Sequence, residues 1–284
     1  MNKKGDLKLI LRRVIQHFRN QEWTAIGIDF VIVVFGVFMG IQVSNWNQAQ
    51  TDKHSGEKFT ERLKEDLVVE AWNYAALIEY LVDVQSSTDK ALAGLEGTSD
   101  ISDEQLLIAA YRATQYNAGV SQSTTYDELI STGKIGFIAD KTLVNTASLI
   151  YGAIILDQIS DEGVNSAYRV TFRKTLPPRI QDSISQHCGD RFVQTGDFND
   201  IKNQLNYTCT TDLSLEQIEI AVKLLRGNPA IVENLRLRAM NVRTHYNNLV
   251  FSNQDIFNAI TNIKNAATAA KSSGAKSTDT IHTK

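Results

Sequence analysis

The side chains best suited to chemistry in this 284-residue chain are five histidines, two cysteines and one aspartate set in an apolar run. The histidines stand at 17, 54, 187, 245 and 282, and no HExxH pair places two imidazoles a turn apart for a metal. No GxSxG elbow or glycine-rich dinucleotide turn occurs. The TGKIG string at 132–136 is not a phosphate loop, because the upstream glycine and a hydroxyl residue after Lys134 are missing. His187, Cys188, Asp190 and Cys209 come nearest to a metal set, but zinc ligands are normally closer together and repeated. His245, beside Arg243 and Tyr246, reads as ordinary helix surface. With no constellation of mutual spacing, the chain reads as non-catalytic, with no cofactor or metal expected.

Asp29 draws attention through its setting. Trp23–Val43 reads WTAIGIDFVIVVFGVFMGIQV, with one charge in 21 residues. Crossing the hydrocarbon core of a bilayer takes roughly 20 residues. Trp23 and Trp46 would stand ~35 Å apart along a helix, as a pair of interfacial anchors, which marks 23–46 as a transmembrane helix. A cleaved signal peptide would be shorter and carry a small-x-small site, which VSNWNQAQ lacks. A buried core helix would not be apolar around its whole circumference from Phe30 to Ile41.

Six Lys/Arg residues (3, 4, 8, 12, 13 and 19) against Asp6 and Glu22 leave residues 1–22 at +4. Only Lys53, Lys58, Arg62 and Lys64 stand in the matching stretch beyond, so the positive-inside bias puts residues 1–22 in the cytoplasm. Asp6–Asn20 is amphipathic and either lies on the inner leaflet or simply continues the span. With Asp29 in the apolar run, the total charge of −3 puts −6 on the remainder, which argues against a nucleic-acid partner.

At 100° per residue, Gly36 and Gly40 fall about −20° and +20° from Asp29, so the three share one stripe with Val43 and Ile32 or Val33. Glycines four apart let a second helix approach closely. A carboxylate at that depth costs roughly 2–3 kcal/mol unless it is neutral, snorkels or finds a donor. Two readings are open: the Asp29/Gly36/Gly40 face associates with a second copy or another membrane protein, or Asp29 snorkels to the headgroups.

The run Gly36-Val-Phe-Met-Gly-Ile-Gln-Val-Ser-Asn-Trp-Asn47, with an acid seven residues before it, resembles the membrane-exit signature of a family of bacterial single-span membrane proteins with no assigned function. In that family a basic tail precedes a span ending in a pattern like GI-x-x-A-x-Q-x-NNWN, followed by a charged helix, as Phe59–Leu67 is here. Thr125–Ile138 is similar to the family's Tyr-x-x-Leu-x-x-x-Gly-x-Leu-x-x-Ile block. Gly40 departs from the usual Ala, Asp29 from the usual Glu, and Gly27 lies one residue further from Gly36. The resemblance covers about half the chain and implies a bacterial inner-membrane location, with the bulk of the chain periplasmic. It implies no activity.

The elements beyond the span read as helices. Only three prolines occur among 43% hydrophobic residues, and no strand patterns of the kind an α/β sensor domain needs are present. Leu67, Ala71, Tyr74, Ile78 and Leu81 form a seam on a helix running from the membrane to Leu92, ended by Gly94 and Gly97. Ser102-Asp-Glu-Gln105 and Ser214-Leu-Glu-Gln217 are capping boxes. A helix capped by Ser123 or Thr124 stops at Gly133, with Ile135, Phe137 and Ile138 pinning the connection. Asp140 opens a helix expected to run to Ile159 and on towards Lys174, halted by Pro177-Pro178. Asn228-Pro229 opens another, with a 4-3 seam from Leu235 to Ile263 whose lone polar member, Asn253, would set register. From Ala266 periodicity ends, and a disordered tail is expected over 266–284.

The expected architecture is therefore all-α: a single transmembrane helix plus an extracytoplasmic antiparallel helical bundle over 47–265. Cys188 and Cys209 would both lie in that oxidising compartment, flanking the least helical stretch. They read as a disulfide worth roughly 3 kcal/mol, with free thiols or metal ligation as alternatives. The leading functional expectation is a membrane-anchored interaction or scaffold protein, with membrane lipid and a protein as partners. The alternative is a ligand-sensing domain that signals through a partner membrane protein, since 22 residues on the cytoplasmic side would leave no room for an output domain.

Overall fold

The computed structural model describes residues 23–117, 121–190 and 193–279. Among them every regular element is helical. The chain divides into two units, Met1–Glu57 and Lys58–Lys284, with the boundary inside the first helix, α1 (Trp23–Leu95). The amphipathic tail expected over 1–22 lies outside the described residues.

In the first unit, α1 is long and apolar enough to cross a membrane, with none of its most apolar window buried. Its large side chains from Ile28 to Val43 are 45–68% exposed, and they face every direction around the helix. A second stretch, Lys141–Thr175, passes the same test of length and composition, but three separate helices share it.

The second unit starts on the seam. Leu67, Ala71, Tyr74 and Leu81 are buried at 0–4% exposure, with Ile78 partly buried beside them. Both capping boxes form: Ser102 caps α2 (Asp103–Arg112) and Ser214 caps α9 (Leu215–Gly227), each with its glutamine reaching back to the cap's own N–H. Ser123 precedes α3 (Thr124–Ser131), and Gly133 at φ 68 supplies the left-handed turn that sends Ile138 into the core. Asp140 accepts from Thr142 N and Leu143 N at the start of α4 (Lys141–Tyr151).

Here the structure departs from the sequence expectation of one helix from Asp140 towards Lys174. The segment breaks into α4, α5 (Ile155–Asn165) and α6 (Ala167–Thr175). The breaks serve packing: Ala147 and Ile150 of α4 enter one core cluster, while Tyr168 and Phe172 of α6 enter another. Pro178 then opens α7 (Pro178–Cys188), and a short α8 (Ile201–Leu205) follows.

The helix expected from Pro229 to Ile263 is likewise divided. α10 (Pro229–Asn247), capped by Asn228, passes into a π-helical turn over Asn248–Ser252, and α11 spans Gln254–Asp279. Asn253 sits at the junction, with φ −112 and ψ 55. Its Nδ2 donates to Asn248 O at 2.8 Å and so closes the turn within its own segment. The wider turn still leaves Leu249, Ile256 and Ile260 buried. The tail expectation also needs correcting over 266–279, where α11 continues. Alanines at 266, 267, 269 and 270 favour helix without any apolar period, and Lys271 Nζ donates to Gly196 O. Residues 280–284 lie outside the described ones.

Two main clusters make the interior of this unit. One gathers Phe59–Val84 of α1 with α3, α4, Val242 of α10 and the start of α11. The other gathers Ala91 of α1 with α2, α6, α7, α9 and the first turns of α10. A small third cluster, Trp72, Ala76 and Ile201, fills the space beside α8.

Candidate functional site

Along α1, Glu70, Asn73, Leu77, Tyr80 and Val84 follow 3-4 spacing, one helical stripe away from the core seam. They span about 21 Å at helical rise and floor a cleft of ≈ 320 Å³ within the second unit. Trp72, Ala76 and Asp83 widen the floor, and Leu156 of α5 contributes an apolar edge. The volume lies in the range of small-molecule pockets, ~300–1,000 Å³.

One wall is the end of α2 and the segment beyond it: Arg112, Gln115, Tyr116, Asn117 and Ser121. A helix C-terminus leaves carbonyls without partners, and they attract cations. Two arginines come from elsewhere to meet them. Arg169 of α6 donates to Thr114 O at 3.0 Å and stacks 4.7 Å over the Tyr116 ring. Arg238 of α10, 3% exposed, donates to Gln115 O at 2.8 Å and to Ala113 O at 3.4 Å. Gly163 of α5 allows the close approach this needs, since a Cβ there would meet Tyr116 Cβ at 2.5 Å.

Arg238 is held in turn by Glu162, which also accepts from Asn241 Nδ2 at 2.9 Å and lies 3.3 Å from His245 Nε2. Burial opposes ionisation of Glu162. The His245 hydrogen bond, the Arg238 charge and the Asn241 hydrogen bond outweigh it, so its carboxyl titrates below the usual value. The sequence reading of His245 as ordinary helix surface is corrected: its side chain is 16% exposed and belongs to this clamp.

The opposite wall comes from the loop between the cysteines: Asp190, Val193, Gln204, Leu205 and Tyr207. Cys188 and Cys209 form a disulfide, with Cα atoms 5.5 Å apart and a separation of 21 positions in sequence. The bridge therefore closes the loop that carries this wall. Arg112 ties it across the cleft: Nη2 donates to Tyr207 O at 3.2 Å and approaches Cys209 Sγ at 3.6 Å, and the guanidinium stacks 4.4 Å over the Tyr207 ring. Tyr207 Oη donates to Gly189 O, and Trp72 Nε1 donates to Asp197 O at 3.3 Å. The residues entertained as a metal set are thereby used otherwise. The two sulfurs are bonded to each other, and His187 Nδ1 lies 2.8 Å from Ser183 O. Among the described residues, no group of three or more potential ligands converges.

The polar floor is acidic. Glu70, 2% exposed, accepts from Gln122 N at 3.0 Å, Ser121 Oγ at 3.3 Å and Asn73 Nδ2 at 3.4 Å. Tyr80 Oη donates to Asp190 Oδ2 at 2.7 Å. Burial pushes the Asp190 carboxyl above its ordinary value; the Tyr80 hydrogen bond opposes this and the Asp83 charge adds to it. Asp83 is pushed up in the same way by burial, with Arg112 and Lys90 pulling against it.

The sequence-derived site residues lie elsewhere. Asp29, Gly36 and Gly40 stand on α1 in the first unit, and a Cβ at either glycine would meet nothing within 4 Å. Trp46 is 63% exposed, and the Trp23 side chain lies outside the described residues. Sequence reasoning missed the cleft. Its one local signal was a stripe of polar residues, Glu70, Asn73, Tyr80 and Asp83, on a half-helix whose neighbouring faces are apolar. No known protein family, curated protein or solved structure matches the chain.

Proposed function

We propose that this chain is a membrane-anchored, non-catalytic binding protein whose helical domain takes up a small molecule in the cleft over α1. The observation that carries the reading is the cleft itself. It is walled by a disulfide-closed loop and by a helix end that two arginines from distant helices hold in place. A surface used only for docking a folded partner needs no such interior.

The rest of the reading is supported by the apolar helix, the basic residues 1–22 and the disulfide. α1 crosses a bacterial inner membrane with residues 1–22 cytoplasmic, and the antiparallel helical domain lies in the periplasm, where disulfides persist. The resemblance at Gly36–Asn47 and Thr125–Ile138 to bacterial single-span membrane proteins supports the same placement. The Asp29/Gly36/Gly40 face then associates with a second copy or another membrane protein, the route by which occupancy of the cleft is passed on.

The test uses the full chain purified in mild detergent and a fragment library screened by ligand-observed NMR. Hits are expected to be lost in Val193→Trp, which fills the cleft from its wall, with the melting temperature confirming that the variant folds. Hits that survive this variant, or a screen with no hits alongside a co-purifying protein, would favour the scaffold reading. For the membrane face, Gly36→Ile with Gly40→Ile should abolish association in a membrane two-hybrid assay, while Gly27→Ile on the opposite face should not.

A further inference from the structure

The charged side chains lining the cleft, among the described residues, are three carboxylates against one guanidinium: Glu70, Asp83 and Asp190 against Arg112. These groups are not equally available. Arg112 is engaged by Tyr207 O, Cys209 Sγ and the face of the Tyr207 ring, so it is a strut across the cleft and not a free anion receptor. Glu70 is occupied by three neutral donors on its own side of the floor. Asp190 receives one hydrogen bond, from Tyr80. Asp83, only partly exposed, receives no hydrogen bond and forms no direct ion pair among the described residues, the Arg112 and Lys90 charges acting on it from further off. Burial penalises the charge on both aspartates, so a cation placed between them would relieve an existing cost.

The remaining lining suits the rest of such a molecule. Leu77, Val84 and Leu156 offer apolar surface, and Trp72, Tyr80 and Tyr116 offer aromatic rings. Aromatic faces attract ammonium groups, and this domain already places guanidinium groups on two of the cleft's rings, Tyr116 and Tyr207. A bare metal ion is disfavoured, because among the described residues no three ligands converge.

We infer that the cleft binds a small organic cation, an amine or quaternary ammonium on an apolar or aromatic body, with its charge at Asp83 and Asp190 and its body against Leu77, Val84 and Leu156. This rests on the reading of the cleft as a ligand site. It adds the chemical class of the ligand.

The experiment compares three probes sharing one body, phenethylamine, 2-phenylethanol and 3-phenylpropionate, by titration calorimetry against the full chain in detergent at pH 7. The amine should bind at least tenfold more tightly than the alcohol, and the carboxylate more weakly than either. Asp83→Asn should reduce amine affinity about tenfold while leaving the alcohol unchanged. Because Asp83 holds no hydrogen bond among the described residues, that variant should also fold normally, which a melting curve checks. Asp190→Asn should act in the same direction. Equal binding of all three probes, abolished by Val193→Trp, would overturn the cation inference and leave the cleft standing as a ligand site. Preferential binding of the carboxylate, or amine affinity indifferent to Asp83→Asn, would overturn it too. No binding by any probe, together with an empty fragment screen, would remove both.

Discussion

Two stretches of α1 are rich in apolar side chains and use them to different ends. From Ile28 to Val43 the large side chains point all round the helix and stay 45–68% exposed. From Phe59 to Val84 the seam residues Phe59, Leu63, Leu67, Ala71, Tyr74, Leu77, Leu81 and Val84 are buried to 0–8% exposure. On the proposed membrane reading, a side chain in the first stretch acts through composition, since any apolar residue of similar size would serve a lipid-facing surface. In the second, each side chain acts through a particular partner. Glu70 is met by Ser121 and Gln122, Tyr80 by Asp190 and Trp72 by Asp197, all from more than forty residues away in sequence. Residues that look alike along one helix thus answer to different constraints.

If order in the second stretch depends on distant partners, cutting a partner remote in sequence should do more harm than most changes within α1. Arg238→Met offers the largest effect. It strips two carbonyls at the end of α2 of their donor and leaves Glu162 without its guanidinium. Removing one partner of a buried ion pair costs about 3–5 kcal/mol. Urea unfolding followed by far-UV circular dichroism should show this loss. A small change would mean that the α2 end is held by Arg169 alone.

Next comes the disulfide. Cys188→Ser with Cys209→Ser reopens the loop that forms one cleft wall, whose ends are 21 positions apart, at a cost of about 3 kcal/mol on the chain-entropy view. Membrane extraction behaviour should not change, because residues 26–46 owe nothing to the bridge. A shift in both would erase the contrast between the two stretches.

A smaller effect, readable by its sign, belongs to the aspartates. Asp83 and Asp190 titrate above the usual carboxylate value when folded. The folded state therefore holds protons that the unfolded chain releases, and the contribution of these groups to stability falls as pH rises through their raised values. Among the described residues, Tyr80, Lys90, Arg112 and Arg169 face them, and the Asp83 charge acts on Asp190. Glu162 has the opposite sign: its contribution is present above the usual carboxylate value and is lost as pH falls through its lowered one. Asp83→Asn with Asp190→Asn should raise the melting temperature at pH 7 without ligand, and the gain should vanish in acid. A gain independent of pH would show that burial of charge is not its source.

The smallest effect tests an exception. Tyr74, 3% exposed, has a hydroxyl with no hydrogen-bond partner among the described residues, so it sits in the second stretch without the kind of partner its neighbours have. Tyr74→Phe should be neutral or stabilising by up to about 1 kcal/mol, since it removes a buried polar group that nothing satisfies. A clear loss of stability would mean that this hydroxyl has a partner after all.

What could be read in the sequence was whatever depends on neighbours a turn or two away. The unbroken apolar run, the seam from Leu67 to Leu81, the two capping boxes, Gly133 as a helix stop and Asn228-Pro229 as a start all rest on local spacing and backbone preference, and each appears in the structure. The disulfide could be named because two cysteines allow only one intramolecular pair. Apolar periodicity could not tell a continuous helix from several in line, because a break keeps the period on either side. Helices α4 to α6 and the π turn before Asn253 were therefore decided by which core each segment could reach. The cleft was beyond the sequence for the same reason. Glu70, Tyr80, Asp83, Arg112, Asp190 and Tyr207 spread over 138 positions, and only the packing of α2, α5 and the disulfide loop against α1 brings them around one space.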